Sequence, residues 1–99
     1  MPILMRAEVY GQTQQGYKAV FDALSPLYEV APGFIAHVSH EIDGGWCVMD
    51  MWSSKDAFQK FFREHVVHRL PPTVHPKISF QNLYDALSVA SHEVQDSDD

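Results

Sequence analysis

The sequence of 99 residues predicts a single α+β domain built from four strands and two helices. Four segments alternate apolar and polar residues with the period of a strand, whereas two segments repeat apolar residues every three or four positions, as a helix does. The dipeptide Asp43-Gly44 lies between two of the alternating segments, where it predicts a tight hairpin of the type I′ kind. The length suits one domain, and 45% of the residues are hydrophobic and can form its core.

The first half of the chain supplies one strand and one helix. Residues 3–10 alternate in their second half as a strand with one apolar face does. Thr13 is placed to cap a helix, because its hydroxyl can accept from a free backbone N–H of the first turn. The apolar face of this helix is formed by Tyr17, Val20, Phe21, Leu24, Leu27 and Tyr28. Pro26 is expected to kink or shorten the last turn.

The second half supplies a hairpin, a helix and a last strand. Residues 34–42 and 46–52 form the two arms of the hairpin. Ser53-Ser54-Lys55-Asp56 starts the second helix and Pro71-Pro72 ends it. Residues 76–84 form the last strand, so the order of elements is β-α-β-β-α-β.

This order predicts a ferredoxin-like domain. One helix joins strands one and two and another joins strands three and four, which gives an antiparallel four-stranded sheet with both helices on one face. The domain is expected to span residues 1–89. The acidic tail, residues 90–99, is expected to be disordered and solvated.

The second face of the sheet predicts a homodimer. Large side chains are expected on both faces of the hairpin, with Ile35, Trp46, Val48 and Trp52 on one and Phe34, Val38, Met49 and Met51 on the other. The two helices cover only one face, and two copies packed through their uncovered sheets would bury the rest.

Charge and composition exclude several classes of partner. The formal net charge is −6, and nucleic acids and anionic membranes both require a basic surface. No apolar run approaches the roughly 18–20 residues of a membrane span, and the first residues lack the features of a signal peptide, so a cytoplasmic protein is expected. The lone Cys47 lies in an apolar stretch and is predicted to be an inert, buried thiol.

Two stretches carry a family resemblance. Gly33-Phe34-Ile35-Ala36-His37-Val38 is followed by Gly44-Gly45-Trp46-Cys47-Val48-Met49-Asp50-Met51-Trp52-Ser53-Ser54-Lys55-Asp56-Ala57-Phe58. In order and spacing these resemble the antibiotic biosynthesis monooxygenase-like group of the dimeric α+β barrel superfamily, over about residues 3 to 84. The resemblance implies a barrel closed by two sheets and a pocket in each protomer between sheet and helices. Cofactor-independent oxygenases, polyketide cyclases, haem-degrading enzymes and isomerases all belong to this superfamily.

The hairpin brings together a candidate catalytic pair. If Asp43-Gly44 is a two-residue turn, His37 lies directly opposite Asp50 and the side chains are in contact. The carboxylate would hold one tautomer of the imidazole, and His37 could then act as a general base with Asp50 as its orienter. The alternative is a purely structural His–Asp pair. A three-residue turn would shift the register and separate the two side chains.

Apolar and aromatic residues are the candidates for substrate binding. The predicted substrate-binding residues are Phe21, Met51, Trp52, Phe58, Phe62 and His65. Such side chains can line a pocket for a flat apolar molecule, although they can equally form the core.

The six histidines do not predict a metal site. His37 and His40 point to opposite faces of a strand, and His65 and His68 share a helix face without an identifiable third ligand. No dinucleotide or phosphate-binding motif is present.

The first strand also lacks the Asn of haem-degrading relatives, and Phe61 stands at the position that resembles their Trp.

The sequence therefore predicts a homodimeric, monooxygenase-like or cyclase-like enzyme without a tightly held cofactor, acting on a hydrophobic aromatic, polyketide-like substrate. One alternative is a non-enzymatic dimer of the same fold that binds a small apolar ligand or haem. Another is a structural protein with a closed core.

Overall fold

The computed structural model describes residues 1–85. The elements are β1 (Ile3–Tyr10), α1 (Gln14–Val30), β2 (Phe34–Ile42), β3 (Gly45–Trp52), α2 (Lys55–Phe61) and β4 (His75–Asn82). Between α2 and β4 the chain continues as a π-helical segment, Phe62–Val66, and a short 3₁₀ turn, Val67–Arg69. The predicted domain end at residue 89 and the predicted tail, residues 90–99, lie outside the described residues.

The sheet has the topology that the sequence predicts. Its strand order is β2-β3-β1-β4, and each neighbouring pair is antiparallel. Both helices pack on one face, where their buried side chains join those of the sheet in one core. The members of this core that are nearly inaccessible to solvent are Met5, Ala7, Val9, Leu24, Tyr28, Trp52, Phe58, Phe61 and Val74. The ferredoxin-like α+β prediction is confirmed.

The hairpin turn contains two residues, as predicted, but it is not of type I′. Ile42 pairs with Gly45, which leaves Asp43 and Gly44 as the turn. Gly44 adopts a φ of 80°, whereas Asp43 keeps a negative φ, and a type I′ turn requires positive values at both. The expected register past the turn is nevertheless preserved.

A β-bulge between Phe34 and Ala36 changes the start of β2. The register expected from the turn would place Ile35 opposite Trp52, but the bulge places Phe34 there instead. Phe34 therefore packs on the helix side, against the ring of Tyr28 at 5.0 Å, and Ile35 is half exposed. An inserted residue reverses the alternation beyond it, which explains why the predicted sides of these two residues are exchanged.

Both helices begin where the sequence predicts. The Thr13 hydroxyl accepts from the backbone N–H of Gly16, and the Ser54 hydroxyl accepts from that of Ala57. Pro26 lies inside α1 without ending it, because the helix continues to Val30.

The end of β4 comes earlier than predicted. The strand stops at Asn82, where the side-chain oxygen of Asn82 accepts from the backbone N–H of Tyr84. This local bond turns the chain and removes residue 84 from the predicted strand.

The face of the sheet away from the helices, here called the open face, is apolar along β2 and β3. Val38 and Ile35 are 54% and 50% exposed there. The open face is polar on β1, where Arg6 and Glu8 form an ion pair at 3.6 Å. Cys47 lies in β3 and is buried, and burial raises the pKa of its thiol, which keeps it protonated.

None of the helices within residues 1–85 has the length and apolar character that a membrane crossing requires.

Candidate active site

The centre of the site is a contact between two neighbouring strands. His37 in β2 pairs directly with Asp50 in β3, as the two-residue turn predicts. His37 Nδ1 lies 2.6 Å from Asp50 Oδ1. The Asp50 side chain is only 1% exposed, so this hydrogen bond is shielded from water.

Two further donors fix the other oxygen of Asp50. Trp52 Nε1–H donates to Oδ2 at 3.1 Å, and the Tyr28 hydroxyl donates to the same oxygen at 3.4 Å. All the partners of this buried carboxyl group are donors, which is the environment that an ionised, acceptor-only carboxylate needs. Asp50 is therefore held rigidly, and it fixes the orientation of the imidazole beside it.

The second ring nitrogen of His37 faces Tyr17. When Nδ1–H is donated to Asp50, the neutral imidazole presents Nε2 as an acceptor. The Tyr17 hydroxyl lies 2.6 Å from this nitrogen and donates to it. Tyr17, His37 and Asp50 thus form a continuous chain of hydrogen bonds from helix α1 to the interior of the sheet.

Both tyrosines at the site keep their protons at neutral pH. Burial raises the pKa of Tyr17, a hydrogen bond with Ser39 opposes that rise, and the charge of Asp50 adds to it. Burial, followed by the charge of Asp50, also raises the pKa of Tyr28 far above its ordinary value of 10.0. The two phenols therefore act as hydrogen-bond donors.

The chain of hydrogen bonds borders a cavity of about 80 Å³ between the sheet and the helices. His37, Asp50 and Tyr17 form part of its wall, and the remainder is mainly apolar, including Met5, Val9, Phe21, Leu24, Phe58 and Phe62. An apolar cavity with a few convergent polar groups is the usual form of a small-molecule site.

Four rings on this wall lie nearly parallel. The plane of Tyr17 makes angles of 3° with His37, 22° with Phe21 and 23° with Trp46. Their centroids are 5.3 to 6.1 Å from that of Tyr17. This arrangement favours a flat ring system that lies in the same orientation.

The predicted substrate-binding residues do not all lie at the cavity. Phe21, Phe58 and Phe62 line it. Trp52 lies beneath it in the core, where it donates to Asp50. Met51 lies on the open face, because it follows Asp50 directly in β3 and adjacent strand residues point to opposite sides.

His65 lies outside the cavity as well. It borders a separate groove between α1 and α2, where its ring packs 5.1 Å from that of Phe61. The structure therefore does not place His65 with the other predicted substrate-binding residues at the cavity.

Three residues of the site are absent from the predicted catalytic and substrate-binding sets. Tyr17 and Tyr28 were placed in the apolar face of α1, where their hydroxyls are the signal that could have identified them. A phenol buried by a helix needs a partner, and the His37–Asp50 pair lies beneath that helix. Trp46 was assigned to the apolar face of the hairpin, and it also lines the cavity.

Metal binding has no support in the described part of the chain. Residues 1–85 contain no group of three or more His, Cys, Asp or Glu side chains that could hold an ion.

No protein-family model matches the sequence, and no curated protein matches it. Solved structures do resemble this one. SnoaB, a cofactor-independent oxygenase from Streptomyces nogalater, gives a TM-score of 0.65 at 16% identity, over 82% of this chain and 91% of that one. The monooxygenase ActVA-Orf6 of Streptomyces coelicolor, in complex with nanaomycin D, gives 0.52 at 19% identity, over 82% and 85%.

The haem-degrader MhuD from Mycobacterium tuberculosis, with two haems bound in its active site, gives a TM-score of 0.53 at 19% identity, over 83% of this chain and 94% of that one. These identities are low, so the similarity concerns the fold, while the proteins that share it differ in chemistry. The chain shares its fold with these proteins, which is the ferredoxin-like α+β fold that its sequence predicts.

Proposed function

We propose that this protein is a cofactor-independent, monooxygenase-like enzyme that acts on a small hydrophobic aromatic molecule, with His37 as general base and Asp50 as its orienter. The observation that carries the proposal is the buried hydrogen bond that fixes Nδ1–H of His37 on Asp50 and leaves Nε2 at the cavity wall. An imidazole held in this way can accept a proton from a phenolic or enolic substrate. A cyclase-like proton transfer would use the same base.

In the free protein the proposed base, His37, is hydrogen-bonded to the hydroxyl of Tyr17. A substrate proton can reach Nε2 only if the Tyr17 hydroxyl leaves it. The cavity of about 80 Å³ is smaller than the roughly 300–1,000 Å³ of typical ligand pockets. Displacement of the Tyr17 ring frees the nitrogen and enlarges the space beside it at the same time.

The reaction then follows from the chemistry of the substrate. His37 removes a proton, and the imidazolium that forms is stabilised by the carboxylate of Asp50. The electron-rich carbanion reduces dioxygen and bonds to it. For a substrate with an activated CH₂ group, the resulting peroxide loses water, so that CH₂ and O₂ become C=O and H₂O. Apart from dioxygen, no oxidant is required.

Oxygen uptake with anthrone as the probe tests this proposal. We expect His37→Ala to lower kcat/KM by about 10²- to 10⁴-fold, which is the usual contribution of a general base. His68→Ala is a matched control, because His68 is exposed in the 3₁₀ turn. Turnover by His37→Ala at the wild-type rate would refute the assignment. A protein that neither consumes oxygen nor binds aromatic ligands would instead be the closed structural protein.

The residues of the cavity do not fit haem. Among residues 1–85, its wall includes no lysine or arginine for the propionates, and its buried acidic group is Asp50. His65, on the second helical region, lies outside the cavity. Titration with haem tests this conclusion, because a Soret band shifted at equimolar haem would contradict it.

We also propose that the protein forms a homodimer through its open face. The exposed Val38 and Ile35, with the partly buried Met49 and Met51 beside them, form the apolar part of that face. Burial of this area in a second copy would remove it from water. Light scattering after size-exclusion chromatography measures the mass, and a stable monomer at micromolar concentration would refute the dimer.

A further inference from the structure

Trp46 carries a buried donor that nothing in the described chain satisfies. It lies in β3, between Val9 of β1 and Glu41 of β2, and its side chain forms part of the cavity wall. The residue is only 9% exposed. Within residues 1–85, no acceptor lies within hydrogen-bond distance of its indole Nε1–H.

The other indole shows what a satisfied donor looks like here. Trp52 is two residues further along the same strand and faces the same side of the sheet, and its Nε1–H donates to Asp50. Buried indole N–H groups normally have such a partner, because an unpaired buried donor costs free energy. Trp46 is therefore the exception at this site.

The other polar side chains at the cavity already have hydrogen-bond partners, Gln12 in the backbone N–H of Thr13, and none of them accepts from Trp46. Both nitrogens of His37 have partners, in Tyr17 and Asp50. The two oxygens of Asp50 accept from His37, Tyr28 and Trp52. An acceptor for Trp46 has to come from a molecule that enters the cavity.

We propose that Trp46 is a specificity-determining residue, whose indole N–H binds the carbonyl oxygen of a planar aromatic ketone or quinone in the cavity. An indole N–H can only donate, so it favours ligands with an acceptor oxygen over the corresponding hydrocarbons. The inference deepens the proposed function and rests on it for the site, since the same ligand would present its acidic group to His37.

The geometry of the rings supports a flat ligand at this point. Tyr17 stacks on Trp46 with a centroid distance of 5.3 Å and is hydrogen-bonded to His37. A planar ligand that displaces Tyr17 can lie between the indole and the imidazole with its carbonyl oxygen beyond the edge of the indole, because an indole N–H donates in the plane of its ring. The donor at one end and the base at the other would fix how the ligand lies in the cavity.

A pair of ligands that differ only in the acceptor tests the inference. 9-Fluorenone and fluorene have the same three rings, but only fluorenone has a carbonyl oxygen. We expect fluorenone to bind about tenfold more tightly, which is the worth of one buried hydrogen bond. In ¹⁵N-labelled protein the Trp46 indole N–H proton should also shift further downfield with fluorenone than with fluorene.

Trp46→Phe provides the matched variant, because it removes the donor and keeps an aromatic ring. Loss of one indole resonance in this variant assigns the signal of Trp46. The preference for fluorenone should fall to about twofold or less, while fluorene should bind as well as before. If the variant folds poorly, triple-resonance assignment of the wild-type protein identifies the Trp46 signal instead, so the shift experiment remains decisive.

Equal affinity and equal indole shifts for the two ligands would overturn the inference, and so would failure of fluorenone to bind. The preference should persist in His37→Ala, because Trp46 acts on a different part of the ligand. A protein that prefers fluorenone but shows no oxygen uptake would refute the proposed reaction and retain the role of Trp46. Oxygen uptake without a preference for fluorenone would support the proposed reaction and refute the role of Trp46.

Discussion

Replacing Asp50 by Asn tests the part of the site that organises the rest. The amide is nearly the same shape as the carboxylate, but only one of its two ends can accept. Trp52 and Tyr28 both donate to Oδ2, and Trp52 can do nothing else. The amide oxygen should therefore stay at that position, and the NH₂ group should face His37. His37 must then accept at Nδ1, and its proton moves to Nε2.

This change removes the base from the cavity while leaving the fold in place. An Nε2 that carries a proton cannot accept one from the substrate, so we expect kcat/KM to fall by about 10²- to 10⁴-fold. Hydrogen bonds to a charged group contribute about 1.5–3 kcal/mol and those to a neutral group about 0.5–1.5 kcal/mol. Each of the three hydrogen bonds to this buried group should therefore weaken by about 1–1.5 kcal/mol, which lowers the free energy of unfolding by about 3–4.5 kcal/mol in all.

Asp50→Leu gives the contrasting result. It leaves the donors of His37, Tyr28 and Trp52 all without an acceptor, at about 1–3 kcal/mol each. The sum is comparable to the roughly 5–15 kcal/mol that stabilises a domain, so this variant should fail to fold.

Oxygen uptake, urea unfolding and the ¹⁵N shifts of the His37 ring together measure these effects. The ring shifts report which nitrogen carries the proton, and they should change between wild type and Asp50→Asn. Retention of Nδ1–H in the variant, or turnover within about threefold of wild type, would refute the reasoning about the tautomer.

Three other predictions concern the tyrosines and the open face. Folding raises the pKa of Tyr28, so the stability that this residue contributes to the folded state is complete below its ordinary pKa of 10.0 and is lost as the pH rises above that value. In urea unfolding, Tyr28→Phe should therefore lessen the fall in the free energy of unfolding above pH 10 by about 1.4 kcal/mol per pH unit. Tyr17→Phe should leave Nε2 of His37 free and lower KM about three- to tenfold with little change in kcat, whereas a large loss of kcat in steady-state kinetics would give Tyr17 a direct part in the reaction. Val38→Glu should convert the proposed dimer to a monomer in light scattering, and Val67→Glu, at a site 47% exposed outside the sheet, should leave the mass unchanged.

The sequence contained enough to predict the pair at the centre of the site. Once the turn between β2 and β3 is taken as two residues, counting outward from it brings His37 opposite Asp50. Strand alternation also shows that Met51 does not face the cavity, because a residue next to Asp50 in the same strand points to the opposite face of the sheet. That constraint should have removed Met51 from the substrate-binding set.

Other features depend on tertiary structure and have no sequence signal of this kind. The bulge at the start of β2 exchanges the sides of Phe34 and Ile35, and a run of apolar residues does not show where an extra residue is inserted. The hydroxyls of Tyr17 and Tyr28 find their partners only when α1 crosses the sheet above β2 and β3. A helix period shows which side is buried but not what lies beneath each residue.

The π-helical segment after α2 has a consequence for the shape of the cavity. Phe58, Phe62, Val66 and Leu70 all border the cavity at intervals of four residues. In a regular α-helix four residues turn through about 400°, so each member of such a row would drift about 40° around the axis. The wider winding of Phe62–Val66 counteracts this drift. Backbone winding, as much as side-chain size, thus keeps Phe58, Phe62 and Val66 aligned, and Leu70 follows beyond the 3₁₀ turn.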